Sequence, residues 1–469
     1  MVMPVIFITD ALIFLLLIMV ALFAGYSARH EHMRVPWRQV SERPLAMASA
    51  VVLLFYITIG LLDSIHFHPR LENTGQSENK YSTVILSVLD VFTEKLQVQT
   101  EKTYSSPFAT HAFSKEVISL PDGKEVREYP RLLYGGSHLA DPEQEFTADV
   151  ILKTLTGIII GMFIWLIFSI IILFTLSRSR KKNFKVTLES VIKCQNKIPW
   201  HVILIMLGIL VVISTVIAWL SNYYHVLGTD KVGQDVLYQS LKSIRTGLLI
   251  GTLTTLVMLP FAIAMGIMSG YFRGWIDDVI QYVYTTLNSI PGVLLIAASI
   301  LMLDVYMTNH ADSFTSMEQR ADMRLLFLCL ILGIMSWTGL CRLLRGETMK
   351  LCEIDYVQAA HAFGVGHFTI MLRHILPNVM HIVMISIVID FSGLVLAEAV
   401  LAYINIGVDP SMSSWGNMIN SARLEMAREP VVWWSLGAAF VFMLGLVLAA
   451  NLFADAVRDA FDPRIRTLS

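Results

Sequence analysis

DYVQAAHAFGVGHFTIMLRHILPN, residues 355–378, is a polar, cationic interruption between two apolar segments, each long enough to cross a membrane. A chain that only anchors itself in a bilayer has no need of such an interruption; one that receives force from a soluble partner does. Within it Tyr356, Ala359, Ala360 and Phe363 fall at i, i+3, i+4 and i+7, on one face of a short helix. The alanines let that face approach another surface closely. Gly364 and Gly366 supply the expected stop signal. A second helical turn is expected over 367–374, leading to Pro377 at the start of the next span, where its missing N–H costs little. As a bare pattern, this bent knuckle reads equally as a coupling element or as an amphipathic connector lying on the bilayer.

Composition sets the surroundings. The chain has 469 residues, 55% hydrophobic and 15% charged, against about 25% charged in soluble domains. Its mean hydropathy is +0.62. It reads as an all-α polytopic membrane protein. The net charge of -2 gives no footprint for nucleic acid. Cys194, Cys329, Cys341 and Cys352 lie outside the polar region near the N-terminus, so no disulfide framework is expected, and their spacing suits no metal. His66 and His68, at i, i+2 without further ligands, read as solvated surface.

A membrane helix needs about 20 mostly apolar residues. Charge-free runs mark 11–27, 45–62, 154–177, 198–220, 246–272, 279–303, 325–341, 380–404 (interrupted by Asp390 and Glu398) and 430–454, nine spans in all. Loops rich in Lys and Arg mark the cytoplasmic side. Arg29, Arg34, Arg38 and Arg43 follow the first span, and Arg178, Arg180, Lys181, Lys182, Lys185, Lys193 and Lys197 follow the third. Arg342, Arg345, Lys350 and Arg373 flank or occupy the knuckle, and Arg458, Arg464 and Arg466 lie in the tail. All four sets are cytoplasmic if the N-terminus is outside, and nine spans then put the C-terminus inside. The first span lacks a positive leader and carries Asp10, so an uncleaved helix is expected rather than a signal peptide. Residues 65–149 form an extracytoplasmic region in which 81–91 reads as helical and Pro121-Asp122-Gly123 as a turn. The expected organisation is thus two helices over 1–64, that region over 65–149, a third helix and basic loop over 150–197, and a transport domain over 198–469.

The knuckle resembles the EAA loop of ABC importer permeases, Glu-Ala-Ala, three residues, Gly, then a distal Leu-Pro. Ala359, Ala360, Gly364, Leu376 and Pro377 match it, and Gln358 stands where the family usually has Glu. Further segments resemble the C-type permease of dipeptide and oligopeptide importers. HVLGTDKVGQDV (225–236) is similar to that subfamily's HPLGTDxxGRDVL, with Val226 and Gln234 departing from it. GYFRGWID (270–277) is similar to its GYFGGWID turn. Glu398 and Leu401 fit an ExxLSFLGLG-like run, with Ala402 and Asn405 in place of Ser and Gly; Gly407, Pro410, Ser414-Trp415-Gly416 and 458–464 (RDAFDPR) follow in order.

The resemblance covers about 198–469 and implies a six-helix type I core whose knuckle is a coupling helix seated in an ATPase groove. It implies a second, B-type permease subunit, two ATPase subunits, an extracytoplasmic substrate-binding protein and a peptide substrate. It implies ATP and magnesium in the partner subunits and no cofactor on this chain, which has no Walker A loop, nucleophile elbow or metal cluster. The implied location is the bacterial inner membrane. Nickel chelates and other solutes use the same subfamily. Outside the resemblance, a secondary transporter would carry more intramembrane charge and repeats, and a sensor or scaffold would have no use for the matched motifs. Residues 1–197 lie outside the resemblance; they read as a docking surface, as a flank that stabilises the complex from the side, or as an anchor with no transport role.

Other residues carry open readings. Gly228, Thr229, Asp230 and Gly233 suit a turn with Asp230 capping a helix from near Gln234, or else contact a binding protein. Asp390, near mid-membrane, lines the path or is a packing residue. Glu398 is structural or gating. Asn288, with Pro291, is expected to kink the sixth span. Trp415 is an interfacial anchor or part of an outer gate.

Overall fold

A computed structural model of the chain describes residues 3–70, 81, 82, 84–119, 125–181, 183–310 and 316–461. The turn expected at 121–123, Lys182, Arg464 and Arg466 lie outside them. In chain order the elements are β1 (Met3–Val5), α1 (Ile8–Arg29), α2 (Glu31–Glu42), α3 (Pro44–Asp63), β2 (His66–His68), β3 (Leu86–Ser87), α4 (Val88–Phe92), α5 (Glu94–Val98), β4 (Glu116–Ser119) and β5 (Glu125–Glu128). Then come α6 (Pro142–Arg180), α7 (Phe184–Ile192), α8 (Trp200–Leu220), α9 (Val236–Phe272), α10 (Gly274–Ser289), α11 (Gly292–Asn309), α12 (Met317–Cys352), α13 (Asp355–Ala362), α14 (His367–Ile370), α15 (Leu376–Tyr403), α16 (Trp415–Glu425) and α17 (Trp434–Phe461).

Nine helical spans among the described residues are long and apolar enough to cross a membrane, with the stretch 367–403 counting as one. Several outrun their charge-free centres because a helix does not stop at its first charge. Lys242 and Arg245 lie inside α9, and α12 starts upstream of Arg320 and Arg324. The sixth span differs more. Residues 279–303 do not form one kinked helix: α10 ends at Ser289, Ile290 is extended, and α11 starts after Pro291. A residue before proline is driven out of the helical region, and here that ends the helix outright. The crossing segment is Gly292–Asn309.

The contacts divide the chain into two compact units, 1–5 with 41–246 and 413–449, and 6–40 with 247–412 and 450–469. In the first, α6 packs along α8. A Cβ on Gly157 or Gly161 would lie 3.0 Å from the Cα of Val216 or Val212, so two glycines one turn apart let the helix backbones close on each other. Trp165 covers Gly208 and donates from Nε1 to the Leu204 carbonyl at 2.8 Å. The 65–149 region is not purely helical. β1, β2 and β3 form an antiparallel sheet, and β4 pairs with β5. His66 and His68 are half-buried residues of that sheet, opposite Val5 and Met3, rather than solvated surface. Helix within 81–91 is confined to α4, whose start is fixed by a capping box between Ser87 and Asp90.

The second unit has its core where α9, α10, α12 and the knuckle meet, around Met258, Trp337, Leu344, Val357, Ile370, Ile375 and Val379. Gly270 again permits close approach: its Cβ would stand 2.7 Å from the Arg345 carbonyl of α12. Asp277 then locks the turn, accepting from Arg345 Nε at 2.7 Å and Nη2 at 2.6 Å, from Gln281 at 2.8 Å, and from Ser269. The Arg345 guanidinium outweighs burial and holds the Asp277 carboxyl at about 2. Arg273, where the resembled turn has glycine, sits at φ +55° and pairs with Glu353.

Candidate functional site

The knuckle is built by two helix ends. α13 runs from Asp355 to Ala362 and ends in a Schellman motif: Gly364 N–H donates to the His361 carbonyl at 3.0 Å and Val365 N–H to Ala360 at 3.1 Å, with Gly364 at φ +73°. The glycine of the motif is thus the left-handed residue that closes the helix. Val357 is 3% exposed and joins the core of its unit, with Ala360 and Leu376 half-buried against it. The opposite face carries Tyr356, 42% exposed, Gln358, Ala359 and Phe363, 88% exposed. The shared face predicted for Tyr356, Ala359 and Phe363 is therefore present and open, while Ala360 is turned partly inward.

Gln358 donates from Nε2 to the Glu353 carbonyl at 3.4 Å, inside its own loop. Tyr356 is tied down by Asn378, whose Nδ2 donates to its hydroxyl at 2.9 Å. His367 meets the Tyr271 hydroxyl at 2.7 Å. Neither tether was singled out in the sequence, because each pairs residues distant along the chain.

Pro377 does not open a separate span. Helix is continuous from 367 to 403, with one π turn at Met371–Ile375 in which Leu376 N–H reaches the Met371 carbonyl. A proline removes an N–H and crowds the carbonyl four residues earlier; the widened turn just before Pro377 relieves both. At its other end α15 closes like α13, with Asn405 at φ +63°, Asn405 N–H on the Ala402 carbonyl at 2.9 Å and Ile406 N–H on Leu401 at 2.9 Å. Asn405 occupies the usual glycine position because asparagine is the side chain that best tolerates it.

Along α15 Asp390 is half-buried with no hydrogen bond among the described residues, and Glu398 is 3% exposed. Asn288 ends α10 exposed and accepts from the Thr338 hydroxyl at 3.2 Å. Trp415 is not a lipid-facing anchor. It is 1% exposed and donates from Nε1 to the Ser240 carbonyl at 3.2 Å, behind the Ser414 cap of α16. An interfacial tryptophan and a buried one look alike in sequence.

In the other unit the 225–236 segment is enclosed by residues of the 65–149 region. Thr229 N–H donates to the Ser105 carbonyl at 3.0 Å, Ser105 N–H to Thr229 Oγ1 at 2.7 Å, and Phe108 N–H to the His225 carbonyl at 3.0 Å. Glu101 N–H reaches the Gly233 carbonyl at 2.9 Å. Trp434 Nε1 donates to the Thr229 carbonyl at 2.9 Å. Gly228 and Gly233 are left-handed, at φ +72° and +76°. Asp230 does not cap α9. It ties the turn by accepting from Val232 and Gln234 N–H, each at 2.9 Å. The cap is Asp235, which accepts from Leu237 N–H at 2.8 Å.

Asp235 also holds His225 Nδ1 at 2.7 Å, and Glu101 Oε1 lies 3.5 Å from His225 Nε2. Glu101 in turn accepts from the backbone N–H groups of Leu133, Tyr134 and Gly135 at 2.8–3.2 Å. Burial opposes charge on both groups, yet the two carboxylates raise His225 to about 9, while His225 and the amides lower Glu101 to about 2. A second cluster sits beside it. Lys242 Nζ lies 2.8 Å from Asp63 Oδ1 and 2.9 Å from Asp90 Oδ1, and the Tyr238 hydroxyl donates to Asp90 at 2.8 Å.

The raised His225 value gives a pH signature. Its stabilisation is complete below about 6.5 and is lost as pH rises through about 9. That of Glu101 is present above about 4.5 and is lost as pH falls through about 2. Resistance of the chain to thermal unfolding in detergent is expected to weaken between pH 6.5 and 9, the window set by the His225 shift, and His225→Gln is expected to flatten that slope. An unchanged slope in the variant refutes the assignment.

No group of three or more His, Cys, Asp or Glu suited to a metal ion occurs among the described residues. The family model for binding-protein-dependent transport system inner membrane components matches residues 262–467. The chain is 32% identical over 244 residues to the oligopeptide transport system permease protein OppC of Mycobacterium bovis, covering 52% of this chain and 77% of that one. It is 29% identical over 243 residues to the glutathione transport system permease protein GsiD of Pectobacterium atrosepticum, covering 52% and 74%. It is 29% identical over 240 residues to the dipeptide transport system permease protein DppC of Lactococcus lactis, covering 51% and 64%.

Proposed function

The chain belongs to the binding-protein-dependent transport system inner membrane components, the permease subunits of ABC transporters, and from that premise we propose that it is the C-type permease of an ATP-driven peptide importer. The observation that carries the reading is the knuckle. An exposed apolar face, Tyr356, Ala359 and Phe363, is backed by Val357 in the same core that holds Ile370, Ile375 and Val379. A push on that face is delivered to the helices behind it, since a close-packed core transmits displacement.

In this reading two separate ATPase subunits bind ATP and magnesium and dock on α13, a B-type permease completes the path, and a binding protein delivers substrate from outside. The N-terminus lies outside and the C-terminus in the cytoplasm, as the Lys- and Arg-rich loops favour. Oligopeptide, dipeptide and glutathione relatives share peptide cargo, which supports that class. Gln358 in place of the usual Glu, bonded within its own loop, makes docking rest on shape more than charge.

Replacing Ala359 or Phe363 is the direct test. Ala359→Trp blocks close approach and Phe363→Ser removes the exposed apolar contact. Each is expected to cause near-complete loss of peptide uptake and of substrate-stimulated ATP hydrolysis, with insertion and thermal unfolding unchanged. Normal uptake in both variants would show that α13 is an ordinary connector.

A further inference from the structure

A half-open crevice of about 620 Å³ lies within the first unit, walled by α3, α8, α9 and α17 and covered by α4 and α5. Its size falls in the range of about 300–1,000 Å³ that holds a small-molecule ligand. The inner side is apolar, with Leu96, Leu237, Ile217, Leu241 and Phe442, whereas the mouth carries Glu94, Lys95 and Asn222. The mouth lies where α3 and α8 end, at Asp63 and Leu220, which is the depth of a bilayer interface. Of its lining, Phe92 is 75% exposed and Val91 55% exposed, on a segment outside the spans. Side chains of that kind at an interface are covered by lipid.

We propose that this crevice is a phospholipid site of the leaflet beside the extracytoplasmic region, taking one acyl chain inside and an ethanolamine-phosphate head at its mouth. Lys95 Nζ gives one hydrogen bond to Asn222 Oδ1 at 2.9 Å and keeps donors for a phosphate. Glu94, its neighbour, makes no ion pair among the described residues and faces the ammonium. The adjacent cation and anion match the two charges of that head, while a purely anionic head meets Glu94 as a repulsive element. The assignment is independent of the transported substrate and of the coupling reading.

The test uses the full chain, purified with its associated subunits and reconstituted into nanodiscs. The probe is phosphatidylethanolamine with a diazirine on its acyl chain, compared with the phosphatidylglycerol equivalent. Adducts are expected to concentrate on peptides spanning 210–222 and 89–96 and to be fewer with phosphatidylglycerol. Ala218→Trp, which fills the crevice, is expected to lower them about tenfold, the equivalent of about 1.4 kcal/mol. Lys95→Glu, a surface change at the mouth, is expected to lower them without altering thermal unfolding, so the test stands even if the tryptophan variant misfolds. Adducts spread evenly over the lipid-facing helices, equal labelling by both probes, or labelling unchanged in Lys95→Glu would overturn the site.

Discussion

Lys242→Met is expected to destabilise the unit that carries the 65–149 region by about 3–5 kcal/mol, the usual consequence of removing one partner of a buried ion pair. Asp63 is 3% and Asp90 4% exposed, and both carboxylates converge on the one ammonium, at 2.8 and 2.9 Å. Burial alone would push Asp90 up, but Lys242 and the Ser87 amide hold it below the ordinary carboxylate value. Methionine leaves both acids buried without a counter-charge, so protons must be taken up for the fold to survive. The unfolding midpoint of Lys242→Met should accordingly fall steeply at neutral pH and recover partly in acid. Adding Asp63→Asn and Asp90→Asn to Lys242→Met should restore much of the loss, because a buried neutral set costs less than an orphaned charge. A Lys242→Met midpoint equal to the parent at pH 7 would mean that the cluster is solvated.

The nine crossings were legible because a run of about 20 apolar residues has few other uses. So was the knuckle, since Tyr356, Ala359 and Phe363 repeat at helical spacing and Gly364 marks the stop. What the sequence did not disclose depends on contacts between distant positions. Asp230 looked like the cap and Asp235 is the cap, a choice settled by which carboxylate the first amides of α9 reach. Trp415 looked interfacial and is buried, because its Nε1 finds the Ser240 carbonyl. At Ile290-Pro291 the sequence predicts a kink and the helix ends instead; local rules give the position of a proline's effect but not its size. Nothing local marks Glu101, since its role arises only when three amides some thirty positions away fold around it.

Those same contacts change the meaning of residues 65–149. The region lies outside the segments that resemble the subfamily, and a detached anchor domain would leave the 225–236 segment exposed. Instead Thr229 is 0%, His225 3% and Val226 8% exposed, with the backbone groups of Thr229 and His225 bonded to Ser105 and Phe108. A motif that looked like a surface loop is an inner layer. Any partner approaching this unit from that side meets residues of the 65–149 region before it meets the motif.

Gly233→Ala is expected to be among the most damaging conservative changes in the chain, costing about 4 kcal/mol or more, the range reserved for backbone strain and core disruption together. The left-handed backbone at φ +76° alone costs a side chain about 1–2 kcal/mol. The rest comes from collision. A Cβ at 233 would stand 1.8 Å from the Glu101 carbonyl oxygen and 2.4 Å from its carbon, both backbone atoms that no rotamer change can move. Relief requires breaking the bond from Glu101 N–H to the Gly233 carbonyl and withdrawing Glu101 from its amides. Hydrogen exchange should then rise across 99–105 and 131–136 together, while the knuckle stays protected. Gly364→Ala is the matched control: its φ is nearly the same, +73°, but nothing lies within 4 Å of its Cβ. It should show only the backbone cost of about 1–2 kcal/mol. Equal losses in the two variants would mean that the 65–149 region does not clamp the turn at Gly233, and that conformation alone explains both glycines.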